Sequence, residues 1–185
     1  METIRRKCKS SIGGIKAVWL LKWQKYPRSL IQVSGNYLIG FPDTFIHKFE
    51  SITPPIATET IQENEGGKVY EQSITMSFKS DWSREFAELM TSDYRLVFLD
   101  NNGFYRIFGL YSGMRSDAIN FASGGTKGEL NGYTFTFSGQ EETESLFIES
   151  LEGLGLTEET FYLLFQNGDN IVTQEAEKLI QENNG

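Results

Sequence analysis

From Lys68 to Lys79 the chain alternates without interruption, with Tyr70, Gln72, Ile74, Met76 and Phe78 on one side and Glu71, Ser73, Thr75, Ser77 and Lys79 on the other. A period of two over that length predicts a long β-strand with one buried and one wet face. A second strong pattern runs from Tyr94 to Tyr111, where two aromatic and β-branched runs flank Asp100-Asn101-Asn102-Gly103. It reads as a β-hairpin, with Asn102 and Gly103 supplying the two positive-φ positions of a type I′ turn. Leu96, Phe98 and Tyr94 fall on one face of its first strand, and Tyr105, Ile107 and Gly109 on one face of the second.

Weaker signals place the remaining elements. Ile15 to Leu21 is apolar but for Lys16 and predicts a strand too uniformly apolar to be solvated on one side. Leu30 to Val33, Tyr37 to Phe41 and Phe45 to Ile52 read as further strands, the first two separated by a turn at Ser34-Gly35-Asn36. Thr53 to Gly67, with Pro54-Pro55 and a run of Glu63, Asn64, Glu65 and two glycines, is either a long loop or a hairpin with a mobile tip. Ser80 or Asp81 can cap a helix through about Met90 with Trp82, Phe86, Leu89 and Met90 as its apolar stripe. Ser112 to Gly132 reads as a polar, glycine-rich connection, and Tyr133 to Phe137 alternates as a strand. Beyond Leu146 to Leu156, helices are expected from about Glu158 to Phe165 and from Thr173 toward Ile180. The expected fold is mainly β with flanking α: an antiparallel β-sandwich or half-barrel with one helix on the sheet. It divides into a basic N-terminal arm (1–14), a β domain (15–140) with a helix near 81–90, and an acidic, partly helical C-terminal extension (141–185).

Composition sharpens this picture. With 14% aromatic residues and 39% apolar residues the chain suits packed β-structure rather than disorder. A net charge of −8 argues against a general nucleic-acid binder, which must neutralise phosphates. The charge is also segregated: Arg5, Arg6, Lys7 and Lys9 crowd the beginning, whereas Glu141, Glu142, Glu144 and most later charges are acidic. The two ends either pair within one molecule or join head to tail between copies, which would build a ring or filament. Cys8 is the sole cysteine, so no intrachain disulfide forms, and no apolar run approaches the length of a membrane span. The sequence is therefore read as soluble and unexported, with no membrane association.

Catalytic and ligand chemistry is thin. Gly124-Gly125-Thr126-Lys127-Gly128 lacks the spacing of a phosphate loop, since Thr126 precedes the lysine and a glycine follows it. His47 is the only histidine, which removes His-paired nucleophiles and multi-histidine metal sites. Asp100, Asn101 and Asn102 belong to a turn rather than a calcium loop, and the Glu141–Glu144 run reads as a solvated face. No catalytic, cofactor or metal residue is assigned, and no enzyme is expected.

The segments CKSSIGGIKAVWLL, EGGKVYEQSITMSFK and RLVFLDNNGFYRIFGLYSGMRSDAINFASGGTKGELNGYTFTFSGQE, in that order, resemble tail-tube-like and neck-ring structural proteins of tailed bacteriophages, the crAss-like group among them. The resemblance spans most of Cys8 to Glu142. It implies a virion protein whose copies, six or twelve to a ring, join sheets side by side around a channel through which DNA passes unbound. It also implies assembly in the host cytoplasm and contact with adjacent portal or tail ring proteins. Subunit contacts are expected at Arg5, Arg6 and Lys7, at Pro54 and Pro55, at Glu63 and Glu65, and at Glu141 and Glu142. The alternative is a small β-barrel or sandwich module that binds a ligand or peptide through Trp82 or Tyr111 beside the glycine-rich loop.

Overall fold

The computed structural model describes residues 12–42, 44–49, 51–64, 67–79, 91–126 and 130–159. The helix expected near 81–90, the basic arm as far as residue 11 and both C-terminal helices beyond Glu159 lie outside these residues. What is described is mostly β. Twelve strands occur in chain order: β1 (Ile15–Lys22), β2 (Gln32–Ser34), β3 (Tyr37–Gly40), β4 (Thr44–Phe49), β5 (Ile56–Asn64), β6 (Gly67–Lys79), β7 (Tyr94–Asp100), β8 (Tyr105–Phe108), β9 (Arg115–Ala122), β10 (Gly132–Glu141), β11 (Leu146–Ile148) and β12 (Leu156–Glu159).

They form two sheets. The larger has the order β12-β4-β1-β7-β8-β11-β3-β2, and the smaller β5-β6-β10-β9. The larger sheet is mixed rather than purely antiparallel, because β11 runs parallel to β3 and β12 parallel to β4. Both parallel partners come from 141–159, the region expected to begin an acidic extension. Glu158 and Glu159, expected to open a helix, instead lie in β12.

Alternation along β1 explains why the larger sheet is covered on both faces. Val18 and Leu20 point toward the smaller sheet and share a core with Ile74, Met76 and Phe78 of β6, Leu96 and Phe98 of β7, and Phe135 and Phe137 of β10. Trp19 and Leu21 point the other way, into a second core with Leu38 of β3, Ile46 of β4, Val97, Ile107, Leu146, Ile148 and Leu156. Leu38 and Leu156 sit on strands at opposite ends of the sheet order, yet they share this core. The larger sheet is therefore curled into a half-barrel, closed over its own apolar face and backed by the smaller sheet. Burying a single Phe or Leu of these cores stabilises the fold by about 1.5–3 kcal/mol.

The expected inward side of β6 is buried at Gln72, Ile74, Met76 and Phe78, and on the side expected to be wet Ser77 is buried too, its backbone amide donating to the Ser51 hydroxyl. Gln72 reaches Gly109 just after β8, whereas Phe78 meets Phe49 at the end of β4, ring centroids 5.1 Å apart. β6 thus runs across the strands of the larger sheet.

The segment Thr53 to Gly67 resolves into β5, the antiparallel partner of β6 along its whole length. Ser112 to Gly132, expected as a connection, contains β9. The central hairpin turn differs from the expected one: within it only Gly103 has positive φ (86°), and among the described residues no non-glycine residue does. Gly103 N–H donates to Asp100 O at 3.1 Å, and Asp100 Oδ1 accepts from the amides of Asn102 and Phe104. This is a type I turn followed by a glycine bulge, in which the Asp100 side chain does the work expected of a second positive-φ residue.

Candidate assembly surface

The smaller sheet carries the most distinctive surface. Among the described residues β5 pairs only with β6 and β9 only with β10, so each side of the sheet ends in a strand with an unpaired edge. β5 is nine residues long and β9 eight. Free edges of that length are templates for another strand unless something covers them.

Its outward face is mostly hydroxyls, with Ile56 of β5 and Arg115 and Ala118 of β9 among them. Register places Thr58 and Thr60 of β5, Ser73, Thr75 and Ser77 of β6, and Thr134, Thr136 and Ser138 of β10 on the side away from the core. Thr75 and Thr136 hydroxyls lie 3.1 Å apart, and those of Ser77 and Thr134 3.3 Å apart. Glu71 accepts from Gln62 at 2.9 Å and from Gln140 at 3.2 Å. From Glu71 to Ser77 and from Thr134 to Gln140 no outward position carries a cation. A polar recess of ≈ 610 Å³ lies on this face beside Thr58, Ser73, Asp117 and Ser138.

Polar contacts bind this sheet to the half-barrel. Gln72 Nε2 donates to Glu59 at 2.8 Å while its Oε1 accepts from Gly109 N–H at 2.8 Å. Glu59 also accepts from the backbone and hydroxyl of Ser145, each at 2.8 Å. On the opposite side of β10, Glu141 is only 3% exposed. Its Oε1 accepts the amides of Tyr111 and Ser112 at 2.9 and 2.8 Å, and its Oε2 is buried without a hydrogen-bond partner. Burial pushes the Glu141 carboxyl above the ordinary carboxylate range, against the pull of those amides and of Arg95.

Arg95 lies inside the half-barrel at 1% exposure. Its Nε donates to Leu110 O and its NH2 to Gln24 O, each at 2.8 Å. Tyr26, Phe41 and Trp23 surround the guanidinium at 5.1, 5.4 and 5.8 Å from their ring centroids. Burial brings its pKa down to about 10, which leaves it charged at neutral pH. Arg95 and Glu141 together pin the 109–114 loop, the corner where the chain passes from the half-barrel into β9. Gly113 and Gly139 fit this corner because a Cβ would sit 2.8 Å from Trp23 Cδ1 in the first case and 2.6 Å from Gly113 O in the second.

These placements bear on the expected contact residues. Glu141 is an internal ligand of the loop rather than a surface carboxylate. Glu142 is exposed and pairs with Arg28 at 3.0 Å, so this part of the acidic region meets a cation of its own chain. Pro54 and Pro55 lead directly into β5, and Glu63 stands exposed near the tip of the β5–β6 hairpin. Arg5, Arg6, Lys7 and Glu65 lie outside the described residues, as do Trp82, Lys127 and Gly128. Tyr111 is packed at the rim of the second core with Arg28 5.1 Å above its ring. His47 is in β4, facing the same side as Leu20. Sequence reasoning missed β9, Arg95 and the Glu59–Gln72 pair; the alternation of Ile119 and Phe121 was the available signal for β9.

A second recess, ≈ 520 Å³, opens at the mouth of the half-barrel between Trp19, Tyr105, Leu151 and Leu156, with Glu152 and Glu158 at its rim. It adjoins the end of the described chain. Among the described residues no cluster of three or more His, Cys, Asp or Glu side chains is placed to hold a metal ion, and no helix is long and apolar enough to cross a membrane. Comparison with family models, curated proteins and solved structures finds no match.

Proposed function

We propose that this chain is a structural virion protein that forms a homo-oligomeric ring in the tail or portal–tail connector of a tailed bacteriophage, around a channel for DNA. The observation that carries this reading is the smaller sheet, with an unpaired edge on each side and an outward face of hydroxyls. β9 of one copy added to β5 of the next extends the sheet, and a contact between two different surfaces closes into a ring when its rotation allows. Closure removes the edges that would otherwise drive aggregation. The hydroxyl face then lines the lumen, where Thr75, Thr136 and Ser138 carry no charge and Arg115, registered with Ser138 on β9, is already paired with Asp93 at 2.7 Å, so that a polyanion meets little to hold it. Portal and tail ring proteins are the neighbours along the axis, and no catalytic step is involved.

The test is native mass across a concentration and salt series, with negative-stain imaging of the large species. Rings or stacked tubes with a central hole are the expected result. A protein that stays monomeric at high concentration, and remains so with portal and tail proteins added, overturns the reading in favour of a ligand-binding module, for which the recess between Trp19 and Tyr105 is the site to probe.

A further inference from the structure

One cross-strand row of the larger sheet runs Phe49, Val18, Phe98, Arg106, Phe147, Tyr37, each registered with the next and all on the side facing the smaller sheet. The smaller sheet covers this row only in part. Phe98 is buried, whereas Tyr37 is 45% exposed, and Phe104, which meets Phe147 at 6.0 Å, is 53% exposed. Phe147 sits between Tyr37 at 5.7 Å and the Arg106 guanidinium at 4.2 Å from its ring.

This uncovered platform begins at the foot of β5. Arg106 donates to the Ser145 hydroxyl at 3.3 Å, and Ser145 in turn is held by Glu59 of β5. The next strand position beyond the free edge of β5 therefore lies over the platform. A strand there would sit about 4.8 Å outward from β5, and packed sheets stand about 10 Å apart, a gap that side chains from both sheets fill.

At the other side of the smaller sheet, β9 turns Ile119 and Phe121 toward the core side. Phe121 is 55% exposed and touches only the edge of that core, through Tyr133 at 5.0 Å. Among the described residues there is thus an aromatic platform that lacks a strand above it and a strand whose aromatic side chain lacks a floor beneath it. Both flank unpaired edges of nearly equal length.

We infer that the Phe104–Phe147–Tyr37 platform is the seat for the core-facing side of β9 from a second copy of this chain, with Phe121 of that copy packed on it while its backbone pairs with β5. The inference rests on the ring reading and adds to it the side-chain contact that fixes which edges meet. It makes the joint a two-layer contact, so its strength comes from buried aromatic area as well as from ladder hydrogen bonds.

The experiment uses two charge substitutions at exposed positions, Phe121→Asp on the strand and Tyr37→Asp on the platform, with Phe104→Asp as a second platform variant. Far-UV circular dichroism and melting check that each folds as the wild type does. Each variant alone is expected to need at least a tenfold higher concentration to assemble, because a carboxylate would be buried against rings. A 1:1 mixture of Phe121→Asp and Tyr37→Asp is expected to give a heterodimer, since the first retains an intact platform and the second an intact β9. Variants that fold but assemble like the wild type overturn this inference and leave the ring reading standing. Blocked variants that do not combine in the mixture overturn the pairing of these two surfaces. A wild-type protein that never assembles overturns both.

Discussion

Replacing Arg95 by methionine keeps the apolar stem inside the half-barrel and removes only the guanidinium. Two carbonyls lose their donor: Leu110 O, where the hydrogen bond is fully buried, and Gln24 O, where it is partly so. An acceptor stranded in the interior costs about 1–3 kcal/mol, and the partly wetted one nearer the lower figure. Loss of the cation above the Tyr26 and Phe41 rings costs about 1 kcal/mol more. Against this, the methionine no longer carries the desolvation that lowers the Arg95 pKa. The net expectation is a loss of about 3 kcal/mol, which for a domain of this size lowers Tm by roughly 6–12 °C. Urea unfolding followed through the fluorescence of Trp19 and Trp23 measures it directly. Arg95→Lys should recover little, since one ammonium cannot reproduce a planar fork aimed at two carbonyls. A methionine variant within about 1 kcal/mol of wild type, by the same threshold of a single net hydrogen bond, would refute the argument that Arg95 ties the half-barrel to the 109–114 loop.

Three further outcomes follow from neighbouring features. Glu141 has a folded pKa raised above its unfolded value, so its contribution to stability is fully present below the unfolded pKa and is lost as pH rises through the folded one; Glu141→Gln, which keeps the acceptor for Tyr111 and Ser112, should therefore gain on wild type as pH rises above the ordinary carboxylate range in urea titrations, and an unchanged difference over that rise would contradict the assignment. Gly139→Ala must displace Gly113 O, 2.6 Å from the new Cβ, and should cost about 1–3 kcal/mol by thermal melting, whereas Gly35→Ala, where the Cβ meets nothing but φ is 58°, should cost about 1 kcal/mol. Thr75→Lys with Thr136→Lys sets like charges on directly opposed positions and removes their 3.1 Å hydroxyl contact, so it should cost the monomer about 1 kcal/mol and make assembled rings retain DNA in a salt-dependent way on filter binding; rings that stay inert to DNA would place the hydroxyl face elsewhere than in the lumen.

What the sequence made legible was whatever periodicity alone decides. β6 reads correctly because its inward side is unbroken from Gln72 to Phe78, and β1 because both of its faces are apolar. β9 was hidden because as an edge strand it is exposed nearly throughout, so its polar outward residues outweigh Ile119 and Phe121 in any local window. β11 and β12 were hidden for a different reason: each is only three or four residues long and is fixed by parallel pairing to strands far earlier in the chain, which leaves no local signature. The hairpin turn was located correctly but assigned the wrong conformation, since Asp100 supplies through its carboxylate what a positive-φ asparagine was expected to supply through the backbone. Pro54-Pro55 lie just before β5 and Glu63 near its end. Glu141 was misread, because a carboxylate in an acidic run looks solvated until tertiary structure wraps a loop of amides around it.

The pairing of β12 with β4 has a consequence for how the molecule is made. Thr44 meets Leu156 and Phe45 meets Thr157, so an early strand waits for a partner that leaves the ribosome near the end of the described chain. At roughly 5–20 residues per second of synthesis that interval lasts on the order of ten seconds. Throughout it, β4 is paired with β1 alone and presents one bare side to the identical strands of neighbouring nascent chains. Synthesis through β12, rather than any trigger molecule, then becomes the point at which this edge of the larger sheet is covered. A chain cut before Leu156 should be recognised by its tendency to co-aggregate during translation, even though every strand of its smaller sheet is already present.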